Sequence, residues 1–126
     1  MASAEAGSHA QAGAGNQAVQ QVKAGLKAIV GAELTMGPPV ASGADAARQV
    51  WRLPVLVASA EGYRNLCKLS TIAALEGYYY KPRIDHDLLR KYSKGLIGTS
   101  TCLGSEINQE LLVGNYDRAQ YLAGMY

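Results

Sequence analysis

Few side chains in this sequence could carry acid–base, nucleophilic or metal chemistry, and they lie far apart. The histidines are His9 and His86, and the cysteines are Cys67 and Cys102. His9 stands among Ala, Gly, Ser and Gln, and His86 opens a polar helix; both read as solvated rather than as ligands. Cys67 reads as a small buried residue on a helix. Glu33, in Gly-Ala-Glu-Leu, stands at a strand end. Taken alone it reads as a solvated carboxylate. The other chemically loaded stretch is Gly77-Tyr-Tyr-Tyr-Lys-Pro-Arg-Ile-Asp85. An alternating strand would bury one or two of these rings, so at least one must sit at a surface. Exposed rings of Tyr79 or Tyr80 beside Lys81 and Arg83 mark the turn as a candidate contact surface, for nucleic acid or for protein. Two basic residues make a weak electrostatic footprint, which favours the protein surface. Pairing of Arg83 with Asp85 or Asp87 is the purely structural alternative.

These residues need elements to position them. Residues 1–15 are too poor in apolar side chains to offset the entropy of ordering and read as a disordered low-complexity tail; 16–126 form the domain. Asn16 could cap a short helix stopped by Gly25. Residues 26–36 read as a buried strand centred on Ile29-Val30, followed by a loop over 37–48 that begins at Pro38-Pro39. A second strand covers 50–59, with Pro54 marking an edge, a bulge or a late start. The helix from Ala60 to Leu75 presents Tyr63, Leu66, Cys67, Ser70 and Ala74 on one face, widened by Leu69 and Ile72. One tyrosine of the following turn packs inward with Leu75. Asp85 caps a helix over 86–92, Gly95 precedes a strand over 95–101, and Ser105 or Gly104 opens a helix closed by Gly114. Asn115 starts a last helix, and the sequence stops inside it at Tyr126. The order α-β-β-α-α-β-α-α predicts an α/β protein with mainly parallel strands and helices outside.

Composition narrows the classes. A chain of 126 residues makes one domain at most, or part of one. The formal charge of +2 argues neither for nor against nucleic acid. Two cysteines make no disulfide framework and suit a reducing cytoplasm. No apolar run is long enough to cross a membrane, and the N-terminus lacks a secretory pattern.

Four segments together carry a family pattern: AGLKAIVGAELTM (24–36), VLVASAEGYRNLCKLS (55–70), EGYYYKPRIDHDLLRKYSKGLIG (76–98) and STCLGSEINQELLVG (100–114). In this order the sequence resembles the PHP (polymerase and histidinol phosphatase) domain of the bacterial DNA polymerase III alpha subunit, over roughly residues 17–126. The resemblance implies part of a (β/α)7 barrel in a replicative, DNA-directed DNA polymerase, a nucleotidyltransferase whose polymerising domains are separate. In some members this domain binds divalent metals (Zn, Mn or Mg) and acts as a 3′→5′ exonuclease. In others it is a scaffold for the polymerase and, in places, for a proofreading subunit.

The resemblance makes Glu33 and Cys102 candidate ligand positions. A thiolate at Cys102 would suit zinc, while a small residue packed where strand meets helix suits it equally. Where metal-binding members have a histidine, this sequence has Arg52, which has no lone pair to donate. Arg52 could supply the ion's charge by pairing with Glu33. The family's His-x-His and Asp-x-His motifs are absent from the sequence. The reading is therefore a non-catalytic fragment that binds no cofactor, touches DNA through its parent polymerase, and has no membrane partner. The alternative is a PHP-type metal-dependent phosphoesterase or exonuclease. A partial barrel would expose sheet edges and an apolar face, so the isolated chain is expected to self-associate or to be partly molten.

Overall fold

The computed structural model describes residues 20–39, 49–100 and 102–126. The expected tail and most of the 37–48 loop lie outside these residues. Two compact units divide the chain, 1–30 and 31–126. In the first, residues 20–23 are helical and Gly25 closes them at φ 77°, a left-handed turn suited to glycine.

The second unit holds a three-stranded sheet and four helices. The strands are β1 (Gly31–Met36), β2 (Trp51–Val57) and β3 (Leu96–Gly98). The helices are α1 (Ala60–Leu75), α2 (His86–Tyr92), α3 (Glu106–Leu112) and α4 (Tyr116–Met125). The element order is the expected one, and the fold is mixed α/β with helices outside. The pairing differs. β1 pairs antiparallel with β2, and β2 antiparallel with β3. The parallel pairing among the described residues is a single bridge, Met36 to Ile84. Parallel neighbours need a crossover element, normally a helix. The sequence between β1 and β2 offers Pro38-Pro39 and no helical pattern, so the chain turns back on itself. The first strand also starts later than expected: Ile29 is 75% exposed, and pairing begins at Gly31 with Leu56.

Alternation sorts the sheet into two faces. Ala32, Leu34 and Met36 from β1, with Trp51, Leu53, Val55 and Val57 from β2, face the core. Glu33, Thr35, Arg52, Pro54 and Leu56 take the other face. Pro54 sits inside the central strand, where a missing N–H should be costly. Its carbonyl accepts from Thr99 N at 3.0 Å, but it has no N–H to return. The β2–β3 ladder therefore ends at Gly98, and β3 is only three residues long.

Ser59 caps α1, its hydroxyl accepting from Gly62 N at 3.1 Å. The buried face of α1 is Gly62, Leu66, Leu69 and Ala73. It is rotated from the expected stripe, and Cys67 is exposed. Gly62 sets the rotation: a Cβ there would overlap the Gly95 carbonyl, so glycine lets α1 lie directly on the approach to β3. Lys94 adds an ion pair to Glu61 at 3.2 Å and accepts from Asn65 Nδ2 at 2.9 Å through its carbonyl. Asp85 caps α2 through Leu88 N at 2.8 Å, and Ser105 caps α3 through Asn108 N at 3.2 Å. Gly114, at φ 81°, turns the chain from α3 into α4, and these two helices pack on each other.

Candidate functional site

The face of the sheet turned away from the core carries the first candidate group. In register, Arg52 lies opposite Thr35 and Glu33 opposite Pro54, so Arg52 and Glu33 are diagonal neighbours. Arg52 Nη1 donates to Glu33 Oε1, and both side chains are about half exposed. Arg52 N donates to the Gly104 carbonyl at 3.0 Å, which draws the 102–105 loop to the end of β2. Cys102 is exposed, and its Sγ accepts from Gly104 N at 3.5 Å. A Cβ on Gly104 would touch Cys102 Sγ at 3.6 Å and Arg52 Cδ at 3.8 Å, so the thiol and the guanidinium stem flank one spot. Arg52 thus meets Glu33 through its guanidinium and has Cys102 near its stem, on the far side of Gly104. The trio does not fit a divalent ion. The carboxylate is engaged by a guanidinium, which has no lone pair to donate. Among the described residues no three His, Cys, Asp or Glu side chains are placed to hold a metal.

A second group was not expected. His86 is not a solvated helix start: its Nε2 lies 2.8 Å from Glu106 Oε2. Tyr126 donates its hydroxyl to the same oxygen at 2.8 Å, and the His86 and Tyr126 rings stand 5.1 Å apart. Glu106 is buried at 6% exposure, and these two partners meet its carboxylate where water does not. Burial, then the hydrogen bond and charge of Glu106, push the Tyr126 phenol well above the usual tyrosine range. A cavity of about 230 Å³ is lined by Arg52, Thr99, Ser105, Glu106 and Tyr126, and so lies between the two groups. The partners come from α2, α3 and the end of α4. A 20-residue separation between His86 and Glu106 leaves no local signal in the sequence.

The tyrosine turn is the third candidate. Tyr78 and Tyr80 are exposed and Tyr79 is half-buried, so one ring does turn inward. It does not pack with Leu75, which is exposed at the end of α1. Tyr79 lies against Arg83, whose guanidinium is 5.2 Å from the ring centroid, while Arg83 Nη2 donates to the Tyr79 carbonyl at 2.7 Å. Arg83 is only 5% exposed, so it is part of the turn's interior and not of its surface. Gly77 permits this, because a Cβ there would overlap the Arg83 carbonyl. Asp87 pairs with Arg90 at 3.2 Å. Lys81 is left as an exposed cation of the turn.

Glu33 is therefore inside β1 and paired with Pro54, not at a strand end as expected, and the sheet face away from the core carries a carboxylate–guanidinium pair with a cysteine in the adjoining loop. The PHP domain model matches residues 9–126, and the chain belongs to the PHP domain family. The similar proteins are DNA polymerase III alpha subunits. That of Deinococcus radiodurans is 44% identical over 101 residues, covering 75% of this chain and 8% of that protein. That of Borreliella burgdorferi is 42% identical over 101 residues, covering 78% of this chain and 9% of the relative. That of Treponema pallidum is 41% identical over 105 residues, covering 81% and 9%. The chain thus spans less than a tenth of the length of these relatives. Among the described residues no helix is long and apolar enough to cross a membrane.

Proposed function

We propose that this chain is a non-catalytic scaffold segment of the PHP domain of a DNA polymerase III alpha subunit, acting in DNA replication through the polymerase that carries it. The observation that carries this reading is the Arg52–Glu33 contact. A guanidinium takes the charge-balancing place beside the carboxylate that a divalent cation would otherwise fill. Glu33 and Cys102 are then the remnant of a ligand set, and Arg52 is the position that closed it to metal. Closure of the sheet into a (β/α)7 barrel belongs to the larger domain. The partners are the remaining polymerase domains, a proofreading subunit, and DNA held by the parent enzyme. The exposed Tyr80 and Lys81, held by Tyr79 and the buried Arg83 beneath them, support a contact with a neighbouring part of that assembly.

Calorimetric titration with zinc and manganese tests the metal half of the reading, and trimming of a 3′-labelled oligonucleotide tests the catalytic half. The expected result is no stoichiometric metal binding and no trimming. Tight binding, or manganese-dependent trimming abolished in Glu33→Ala or Cys102→Ala, would instead establish the phosphoesterase or exonuclease alternative.

A further inference from the structure

We propose that Tyr80 is a pre-set anchor that inserts into an apolar pocket on another part of the polymerase chain; this rests on the scaffold reading above. Tyr80 is the non-glycine residue with positive φ among the described residues, at 58°. A bulky side chain in the left-handed region is strained. The ring is 83% exposed, so the fold recovers little in exchange. Strain of this kind persists only where the surrounding structure over-determines it, and it clusters at functional sites.

The turn is braced from beneath to hold the ring out. Tyr79 N donates to the Lys81 carbonyl at 3.1 Å, tying the backbone on either side of Tyr80. The Tyr79 ring meets Tyr80 edge to face at 4.8 Å, and Arg83 fixes Tyr79 by its carbonyl and its ring. A side chain already ordered in its exposed position loses less entropy on docking.

The surroundings choose the partner. Leu75, Tyr78 and Tyr80 are 78%, 60% and 83% exposed within six residues of chain, an aliphatic–aromatic set typical of an interface centre. Nucleic acid would call for a positive surface. Here Glu76 and Asp85 offset Lys81 and Arg83, and Arg83 is inside. The occupant is therefore protein, with an acidic group opposite Lys81. The relatives, of which this chain spans under a tenth, offer ample surface to supply it.

Substitution with asparagine, which tolerates left-handed backbone, separates the possibilities. Two proteins are melted: this chain, and the Deinococcus radiodurans subunit with this chain replacing its matching segment. Tyr80→Asn is expected to raise the melting temperature of the isolated chain by about 2–5 °C and to lower that of the hybrid. Tyr80→Phe should leave the hybrid unchanged. A rise in both proteins means that no surface covers the ring and overturns the proposal. A fall in the isolated chain means that the ring serves its own turn, with the same consequence. Weakened binding of single-stranded DNA by the Tyr80→Asn hybrid, without a change in its melting, would assign the ring to nucleic acid and also overturn it. Primer extension by the unsubstituted hybrid tests the scaffold reading separately, because the melting comparison does not depend on polymerase activity.

Discussion

Arg52 and Glu33 form a half-exposed pair on an open sheet face, and such pairs contribute roughly 0–1 kcal/mol. Glu33→Gln should therefore lower stability by less than about 1 kcal/mol in a urea titration. The pair matters more for what it blocks. Arg52→His replaces the guanidinium beside Glu33 with a group that has a lone pair; if the ligand-remnant reading holds, zinc binding should be at least about tenfold tighter than in the starting chain, by competition with a chromophoric chelator. Glu106 behaves differently because it is buried. Glu106→Ala leaves His86 and Tyr126 without their acceptor and should cost about 2–4 kcal/mol. Tyr126 carries a pH dependence of known sign. Its phenol is held neutral in the folded chain, so its contribution is complete below the unfolded value of about 10. That contribution fades as pH rises beyond it, because the unfolded chain ionises first. Tyr126→Phe should remove this part of the alkaline destabilisation, as read by circular dichroism between pH 9 and 12. The Glu33–Arg52 pairing was legible only through the family resemblance, which put both residues at ligand positions; the charges alone, 19 residues apart, did not single each other out. The His86–Glu106–Tyr126 cluster was not, because its members meet only after three helices have been placed.

Elements follow signals of different range. Asp85, Ser105 and Gly114 bound their helices through bonds to residues a few positions away, and such local chemistry can be read directly. Strand direction is not local. It depends on what fills the connection between β1 and β2, and strands joined without a crossover helix pair antiparallel. The buried stripe of α1 is not local either. Hydrophobic spacing permits several faces, and Gly62 against the Gly95 carbonyl, 33 residues away, selects one. Gly62→Ala should therefore push α1 off the sheet and cost about 3 kcal/mol or more in chemical denaturation. Pro54→Val restores the donor that β2 lacks toward Thr99. It should lengthen the β2–β3 ladder and stabilise the chain by about 1 kcal/mol, with slower amide exchange around residue 99.

At the scale of the whole molecule, the sheet is covered by helices on one face, while Leu56 and Ile97 remain exposed at 38% and 52%. Exposed apolar strand surface recruits other chains. Sedimentation of the isolated chain should become concentration-dependent in the micromolar range, and Ile97→Lys should suppress the effect without unfolding. Element order and the family were legible in the sequence; strand direction was not, because it depends on the connections between strands. Trp51 is the sole indole of the sequence, and it packs at the margin of the core, next to Arg52. Its emission wavelength and its quenching by iodide therefore form a built-in optical gauge, able to follow the docking of β1 on β2 without any attached dye.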